Sequence, residues 1–523
     1  MSFLDLRSFL RHLESAGQLA RVPCEVDPNQ EVTILQHRVQ ADGGPALLFE
    51  RVKGSPYRLV TNLFGTPARV AAAFGRPPAE FSQQLVDLAG RLMPPTLGAI
   101  WSARRDIRRL LRARLKNVKT GPVMETAFAP PQLDRLPVLT CWPLDGGPFF
   151  TLPLVHTTDP VSGAGNLGIY RLQRFDADST GMHWQIEKGG GFHFQNACRL
   201  GTPLPVSVFL GGPPALTLAA ITPLPEGLDE RLLAALLLGE PLEVIPRPSG
   251  HRIPAQAEFV LEGSVSPGDM RQEGPFGDHL GHYSHSAPFP VFRVERVLAR
   301  KDAIFPATVV GKPPQEDYYI GEALQELTLP LLKFTRPAVA DLWAYPESGF
   351  HPLAVASVRE RYPHEALKHA LGLLGEGQLS LTKVLILVGP DVNQSRPLER
   401  VAPPRPHRPR HPRLHRSLSQ YRKSLDPPRP SLSSVGSFFL SVGFFLRSLR
   451  FFRFFLRSVR SFHRSIRFFR FNRLRFRGVF FSSRSPSHRP SLAPSSRSGR
   501  SPRHSRPRPS GSRVPHRPVA RRR

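Results

Sequence analysis

The chain changes character within a few residues of Asn393, and that break decides how much of it can form a packed fold. Residues 394–523 hold 32 Arg and one Lys against Glu399 and Asp426, and are built almost wholly from Arg, Ser, Pro, His, Phe and Leu. That composition buries too little apolar surface to offset the entropy of ordering a chain, so a disordered, low-complexity basic tail is expected. Residues 1–393 carry 38 basic and 39 acidic side chains. The formal charge of +30 is therefore a property of the tail, and the body itself gives no reason to expect a specific nucleic-acid partner.

Within the tail, Arg447 to Arg477 alternates arginines with pairs of Phe. Read literally, this is a cationic amphipathic segment for an anionic membrane, or a basic aromatic segment for nucleic acid. The other reading is an out-of-frame translation of GC-rich DNA, which yields Arg, Pro, Ser and His, an abrupt onset in mid-domain and almost no acids. Under the first reading the body is a degenerate scaffold; under the second the tail has no function.

The body is long enough for several domains with a substantial core. Helical periodicity predicts helices over Phe3 to Ala16, Glu31 to Ala41, Pro78 to Leu92 and Ala103 to Leu115, with β-rich runs at Ala46 to Phe49 and Arg58 to Thr61. Residues 1–130 thus read as a small α/β domain. From 131 to 300 short alternating segments such as TLPLVHTT, GIYRLQRF, PVSVFLGG, AEFVLEGSV and FPVFRVERVLA, separated by Gly, Pro and Asp, suggest a barrel or sandwich. Helices at Gly321 to Leu332 and His364 to Leu374, with the apolar strand Val384 to Val388, open a second, incomplete α/β unit over 301–393. That last strand would lack its sheet neighbours and be an aggregation hazard. The fold class is α/β plus β. The three cysteines, Cys24, Cys141 and Cys198, are too scattered for a disulfide framework, which fits a reducing cytosol. No run of eighteen apolar residues is present and the N-terminus lacks a signal peptide's apolar core, so a cytoplasmic protein without a membrane span, peripheral to a membrane at most, is expected.

Four constellations carry chemistry. In Asn166-Leu-Gly-Ile-Tyr-Arg171 the amide can ligate a hard cation and the guanidinium can clamp a carboxylate or phosphate, although an Arg on a strand is more often solvated surface. In Met182 to Gly191 a polar, aromatic strand runs into a triple-glycine turn whose amides could approach an anion; a plain hairpin turn explains it equally well. In Ile221 to Glu230 acids gather at the start of a helix running to Leu238, as capping and dipole matching would also require. In RQEGPFGDHLGHY, Pro275 and Gly277 shape a turn on which Glu273 and Asp278 can converge, although taken singly this is a surface loop.

In order and wording, these segments together with FLDLRSFLRHLESAGQLARV, NLFGTPARV, LPVLTCWPLDGGPF, VVGKPPQED and TKVLILVGPDVN resemble the UbiD-type decarboxylases, the prenylated-FMN-dependent family that includes 3-polyprenyl-4-hydroxybenzoate decarboxylase. The resemblance covers residues 1–393, with nothing matching beyond. It implies a central split β-barrel that binds the flavin. It also implies non-oxidative decarboxylation of an aromatic or α,β-unsaturated acid, such as a 4-hydroxy-3-polyprenylbenzoate on a ubiquinone route or a naphthoate on a menaquinone route.

Carried over to this sequence, the family pattern makes Arg171, Glu273 and Asp278 the catalytic set. Arg171 would orient the substrate carboxylate and keep Glu273 ionised, and Asp278 would supply the proton that replaces CO2. Ile169, Tyr170, Arg171, His183, Trp184, Gln185, Lys188 and Gly189 match the cofactor strand and turn, and Lys383 is a further candidate for the phosphate. Asn166, Glu187 and Glu230 would hold Mn2+ or Mg2+, with K+ as an additional ion; Glu187 stands where the family commonly has His. A flavin prenyltransferase would supply the cofactor, and the family's subunits form homo-oligomers through the C-terminal region.

Overall fold

The computed structural model describes residues 2–185, 188–224, 227–350 and 352–391. Expectations for the tail therefore lie outside the described residues. The first helix is Leu6–Ser15, shorter than the apolar periodicity suggests, because the Asp5 carboxylate accepts from Ser8 N at 2.7 Å and caps it. Its buried stripe, Leu6, Phe9, Leu10 and Leu13, faces the core. The N-terminal sheet runs Leu19–Val26, Ala46–Val52, Arg58–Thr61 and Ile304–Pro306. The last of these strands returns from beyond the β-rich middle to pair in parallel with Arg58–Thr61.

Helix Pro67–Phe74 was not anticipated, although its signals are ordinary: Thr66 caps it, Pro67 opens it and Gly75 closes it in the left-handed region at φ 76°. The predicted helix over Ala103 to Leu115 ends at Arg112, and Leu115–Asn117 becomes a short strand beside Leu242–Pro246.

The middle is an antiparallel sheet of seven strands. Its order is Ser179–Gly181, Ala287–Ala299, Phe259–Glu273, Leu204–Leu210, Leu154–Thr158 and Gly165–Ile169, with Thr126–Phe128 attached to Ala287–Ala299. The long hairpin Phe259–Glu273 with Ala287–Ala299 is its spine, in register so that Glu273 faces Ala287 at the open end. Two helices here escaped the sequence reading. Pro214–Ile221 is buried on nearly every side, so it shows no amphipathic period.

The other, Gly189–Leu200, corrects the triple-glycine turn. Met182 to Gln185 forms no strand, and the three glycines open a helix that Ala197 anchors in the core. Glycine is required at its start by space: a Cβ on Gly189 would lie 2.1 Å from Asn166 Oδ1, and one on Gly190 2.6 Å from the Trp184 ring.

Beyond Pro306, helix Glu316–Thr335 leads to a three-stranded sheet ordered Val339–Ala344, Leu353–Val358, Val384–Val388. The last strand is not without neighbours as expected: it pairs in parallel with Leu353–Val358, and its outer edge has no partner among the described residues. Among the described residues no helix is long and apolar enough to cross a membrane.

Burial pushes the Cys141 thiol up to about 12, while Cys24 and Cys198 are exposed. A disulfide-exchange reagent at pH 8 is therefore expected to titrate two thiols in the native protein and the third after denaturation. Three fast equivalents without denaturant would refute the buried placement of the strand-end loop that carries Cys141.

Candidate active site

The two residues between strands Gly165–Ile169 and Leu172–Gln173 point opposite ways, as alternation dictates. Tyr170 goes into the core, and Arg171 turns toward the loop that follows Glu273. Arg171 Nε donates to Glu273 Oε1 at 3.1 Å, Nη1 lies 3.5 Å from Asp278 Oδ2, and Nη2 donates to Ser284 Oγ at 3.3 Å. The guanidinium also sits 4.6 Å above the centre of the Phe276 ring, a face that attracts cations. The structure thus brings Arg171, Glu273 and Asp278 together.

The Glu273 side chain is fully buried, while Asp278 is 41 % exposed. Glu273 Oε1 has a second partner in His183 Nδ1 at 2.9 Å, and the His183 ring stacks on Phe289 at 4.2 Å. His183, expected among the cofactor contacts, is thus a partner of the carboxylate. Glu273 Oε2 is buried and has no hydrogen bond. A buried carboxylate with one oxygen held by a guanidinium and an imidazole, and the other unused, keeps a lone pair for a reacting group.

A clasp that sequence reasoning did not single out fixes the loop. Asp145 Oδ1 accepts from Gly277 N at 2.8 Å, and its Oδ2 accepts from Trp142 N at 2.8 Å and Cys141 N at 3.0 Å. Burial raises the Asp145 pKa, although these three amides oppose it. Gln173 spans the same two segments, donating to Gly146 O and accepting from Gly274 N, both at 2.7 Å. The signal available was the segment CWPLDGG, whose acid precedes two glycines: a Cβ on Gly146 would lie 2.2 Å from Gly274 O.

On the far side of Asp278, His279 lies 3.6 Å from the Asp278 carboxylate and is hydrogen-bonded through Nδ1 to Asp317, at the start of helix Glu316–Thr335. Burial opposes the His279 charge, but Asp317 and Asp278 outweigh it and raise the pKa. Neither His279 nor Asp317 was anticipated, because Asp317 is remote in sequence.

A second group lies around the start of helix Gly189–Leu200. Glu230, capped into helix Glu230–Leu238 by Asp229, accepts from Leu167 N at 2.7 Å, one residue beyond Asn166. Burial pushes its carboxyl up to about 8, against the pull of the Leu167 amide and the Arg231 charge. Asn166 Nδ2 and Trp184 Nε1 are buried without partners. Tyr170 Oη accepts from Gly190 N at 3.1 Å and its ring meets Trp184 edge-on at 5.1 Å. Lys188 is lowered by burial, with Glu230 pulling the other way.

Asn166, Tyr170, Trp184, Gly189 and Glu230 therefore line one region, with Ile169 half-buried beside it and Gln185 exposed at its margin. Among the described residues no three His, Cys, Asp or Glu side chains converge as a metal centre. Glu187 lies outside the described residues. Lys383 stands apart, exposed at the foot of Val384–Val388 in a sheet that shares no strand with the site's.

Three family profiles match in order: the 3-octaprenyl-4-hydroxybenzoate carboxy-lyase N-terminal domain at 10–89, the Rift-related domain at 115–313 and the C-terminal domain at 318–401. A Chlamydia pneumoniae protein, named as one of the subunits of a 4-hydroxybenzoate decarboxylase, is 46 % identical over 402 residues, which cover 76 % of this chain and 67 % of that one. The chain thus spans about two thirds of that relative's length. Among solved structures, an evolved dimeric form of the UbiD-class enzyme HmfF from Pelotomaculum thermopropionicum, in complex with prFMN, matches with a TM-score of 0.63 and 30 % identity, covering 75 % of this chain and 87 % of that one. The closed form of vanillic acid decarboxylase from Sedimentibacter hydroxybenzoicus matches with a TM-score of 0.67 and 27 % identity, covering 77 % and 84 %. With all three profiles in register along one chain, the protein belongs to the UbiD family of carboxy-lyases and is an enzyme of the UbiD type.

Proposed function

We propose that the chain carries out the non-oxidative decarboxylation of an aromatic or α,β-unsaturated carboxylic acid with prenylated FMN. The observation that carries this reading is the buried Glu273, with one oxygen on Arg171 and His183 and the other unused, beside the more exposed Asp278. The prFMN-bound HmfF supports the cofactor. The donor set fits it: an orphan indole N–H, an orphan amide, the buried Glu230 carboxylate, and a twelve-residue helix whose glycine start leaves room for a phosphate. Asn166 and Glu230, with Glu187, would hold Mn2+ or Mg2+, for which oxygen donors are suited, with K+ as a further ion. The seven-stranded sheet is read as the split β-barrel flavin domain, between α/β units near 1–130 and 301–393.

When bound, the prenylated flavin supplies the electron sink that no side chain here can provide. Arg171 orients the carboxylate of the substrate through charge-assisted hydrogen bonds. Asp278, the more exposed acid, takes up a proton from solvent and delivers it to the carbon that lost CO2. Glu273, accepting from Arg171 and His183 through Oε1, aims the guanidinium at the substrate and presents its unpartnered Oε2 to the reacting group.

The substrate reading is a 4-hydroxy-3-polyprenylbenzoate or a naphthoate on a quinone route, in the cytoplasm, with a flavin prenyltransferase as cofactor supplier and a homo-oligomeric assembly. The test is co-expression with a flavin prenyltransferase, then mass spectrometry of the bound flavin and metal analysis. Prenylated FMN with about one Mn2+ per chain is expected for the wild type, and loss of both in Glu230→Ala. A folded protein that retains neither would remove this reading.

A further inference from the structure

The body's charge is not evenly spread. From Arg91 to Arg114 the chain carries seven arginines and one acid, Asp106, which is already paired with Arg91 at 2.8 Å. Since residues 1–393 balance almost to neutrality, this short stretch is a positive pole on an otherwise acidic body. It folds as the end of helix Pro78–Arg91 followed by two short helices, Leu97–Ser102 and Arg104–Arg112. Their inner faces form a small core of their own, with Leu88, Leu92 and Ala103 buried and Ile100, Ile107 and Leu110 packed on it.

The outer face is not what solvation alone would select. Leu97 is 79 % exposed, Trp101 71 %, Met93 59 % and Leu111 54 %. Leu97 and Trp101 are one helical turn apart and share a face. Arg104 lies 5.0 Å from the Trp101 ring centre, and Arg105, Arg108 and Arg112 are exposed on the next helix.

We propose that this face docks on an anionic lipid bilayer, with Leu97, Trp101 and Met93 entering the headgroup boundary and the arginines holding phosphates around them. Protruding Leu and Met beside Trp, ringed by arginine, match an interfacial anchor. The charge favours lipid over a second copy of the chain, because a symmetric contact would set one arginine cluster against another.

The test uses the full chain with vesicles of phosphatidylglycerol and phosphatidylcholine, or of phosphatidylcholine alone, the lipids carrying brominated acyl chains. Trp101 is the exposed one of the chain's four tryptophans, so its quenching reports this face and not the basic tail. Expected are quenching on the anionic vesicles alone, its disappearance in Trp101→Phe, and weakening with salt. Reversing Arg105, Arg108 and Arg112 to Glu should lower partitioning by at least about a hundredfold, at roughly fivefold for each unit of surface charge changed. Vesicle binding without Trp101 quenching would place the contact elsewhere and overturn the proposal, as would no binding. Self-association in sedimentation that Leu97→Ser abolishes, with vesicles ignored, would assign the face to a second copy instead.

Discussion

Glu273→Gln is expected to keep the fold and the bound flavin while lowering turnover by about three orders of magnitude, the range for loss of a positioned acid or base. The change is nearly isosteric, so the fully buried site keeps its packing. Chemically it is severe. The carboxylate Oε1 now accepts from both Arg171 Nε and His183 Nδ1. An amide oxygen in its place is neutral and a weaker acceptor, and the amide NH2 takes the position of Oε2, the oxygen that has no partner. A donor then stands where a lone pair is needed, and Arg171 loses the charge that aims it. Turnover of the cofactor-loaded variant, with flavin retention as the folding control, decides the matter. A rate within threefold of wild type would sink the role given to Glu273, whatever became of the substrate assignment.

How much of this was legible in the sequence depends on whether each signal was local. Helix Glu31–Ala41 and strand Arg58–Thr61 end where periodicity places them, because their apolar patterns are complete within a few residues. The acids Glu273 and Asp278 were legible because a single Pro/Gly turn carries both. Arg171 was far weaker: nothing near it in sequence shows that it meets a loop more than a hundred residues away, and family resemblance supplied that link. Asp145, Gln173 and Asp317 were missed for the same reason, since each acts on segments remote in sequence through one or two hydrogen bonds. The start of helix Gly189–Leu200 was misread as a turn because glycine's local preference was weighed without the crowding by Asn166 and Trp184 that demands it.

That crowding recurs at the catalytic loop, where Gly277→Ala should be among the most damaging single-methyl changes in the protein. A Cβ there would lie 2.1 Å from Trp142 Cδ1. The indole has no room to step aside: its other edge meets Gly311, where a Cβ would lie 2.6 Å from Cζ2, and its Nε1 donates to Val310 O at 2.7 Å. The loop must move instead, straining the bond from Gly277 N to Asp145 and carrying Asp278 away from Arg171. Overpacking of this kind costs about 1–3 kcal/mol, and a shift of about 1 Å at a proton donor can cost about a hundredfold in rate. Gly163→Ala is the control: that glycine has φ +71° with nothing within 4 Å of a Cβ, so it should lose about 1 kcal/mol to backbone strain and no activity. Chemical denaturation and turnover of both variants separate the two effects. A Gly277→Ala enzyme as active as wild type would mean that the clasp by Trp142 and Asp145 does not set the position of Asp278.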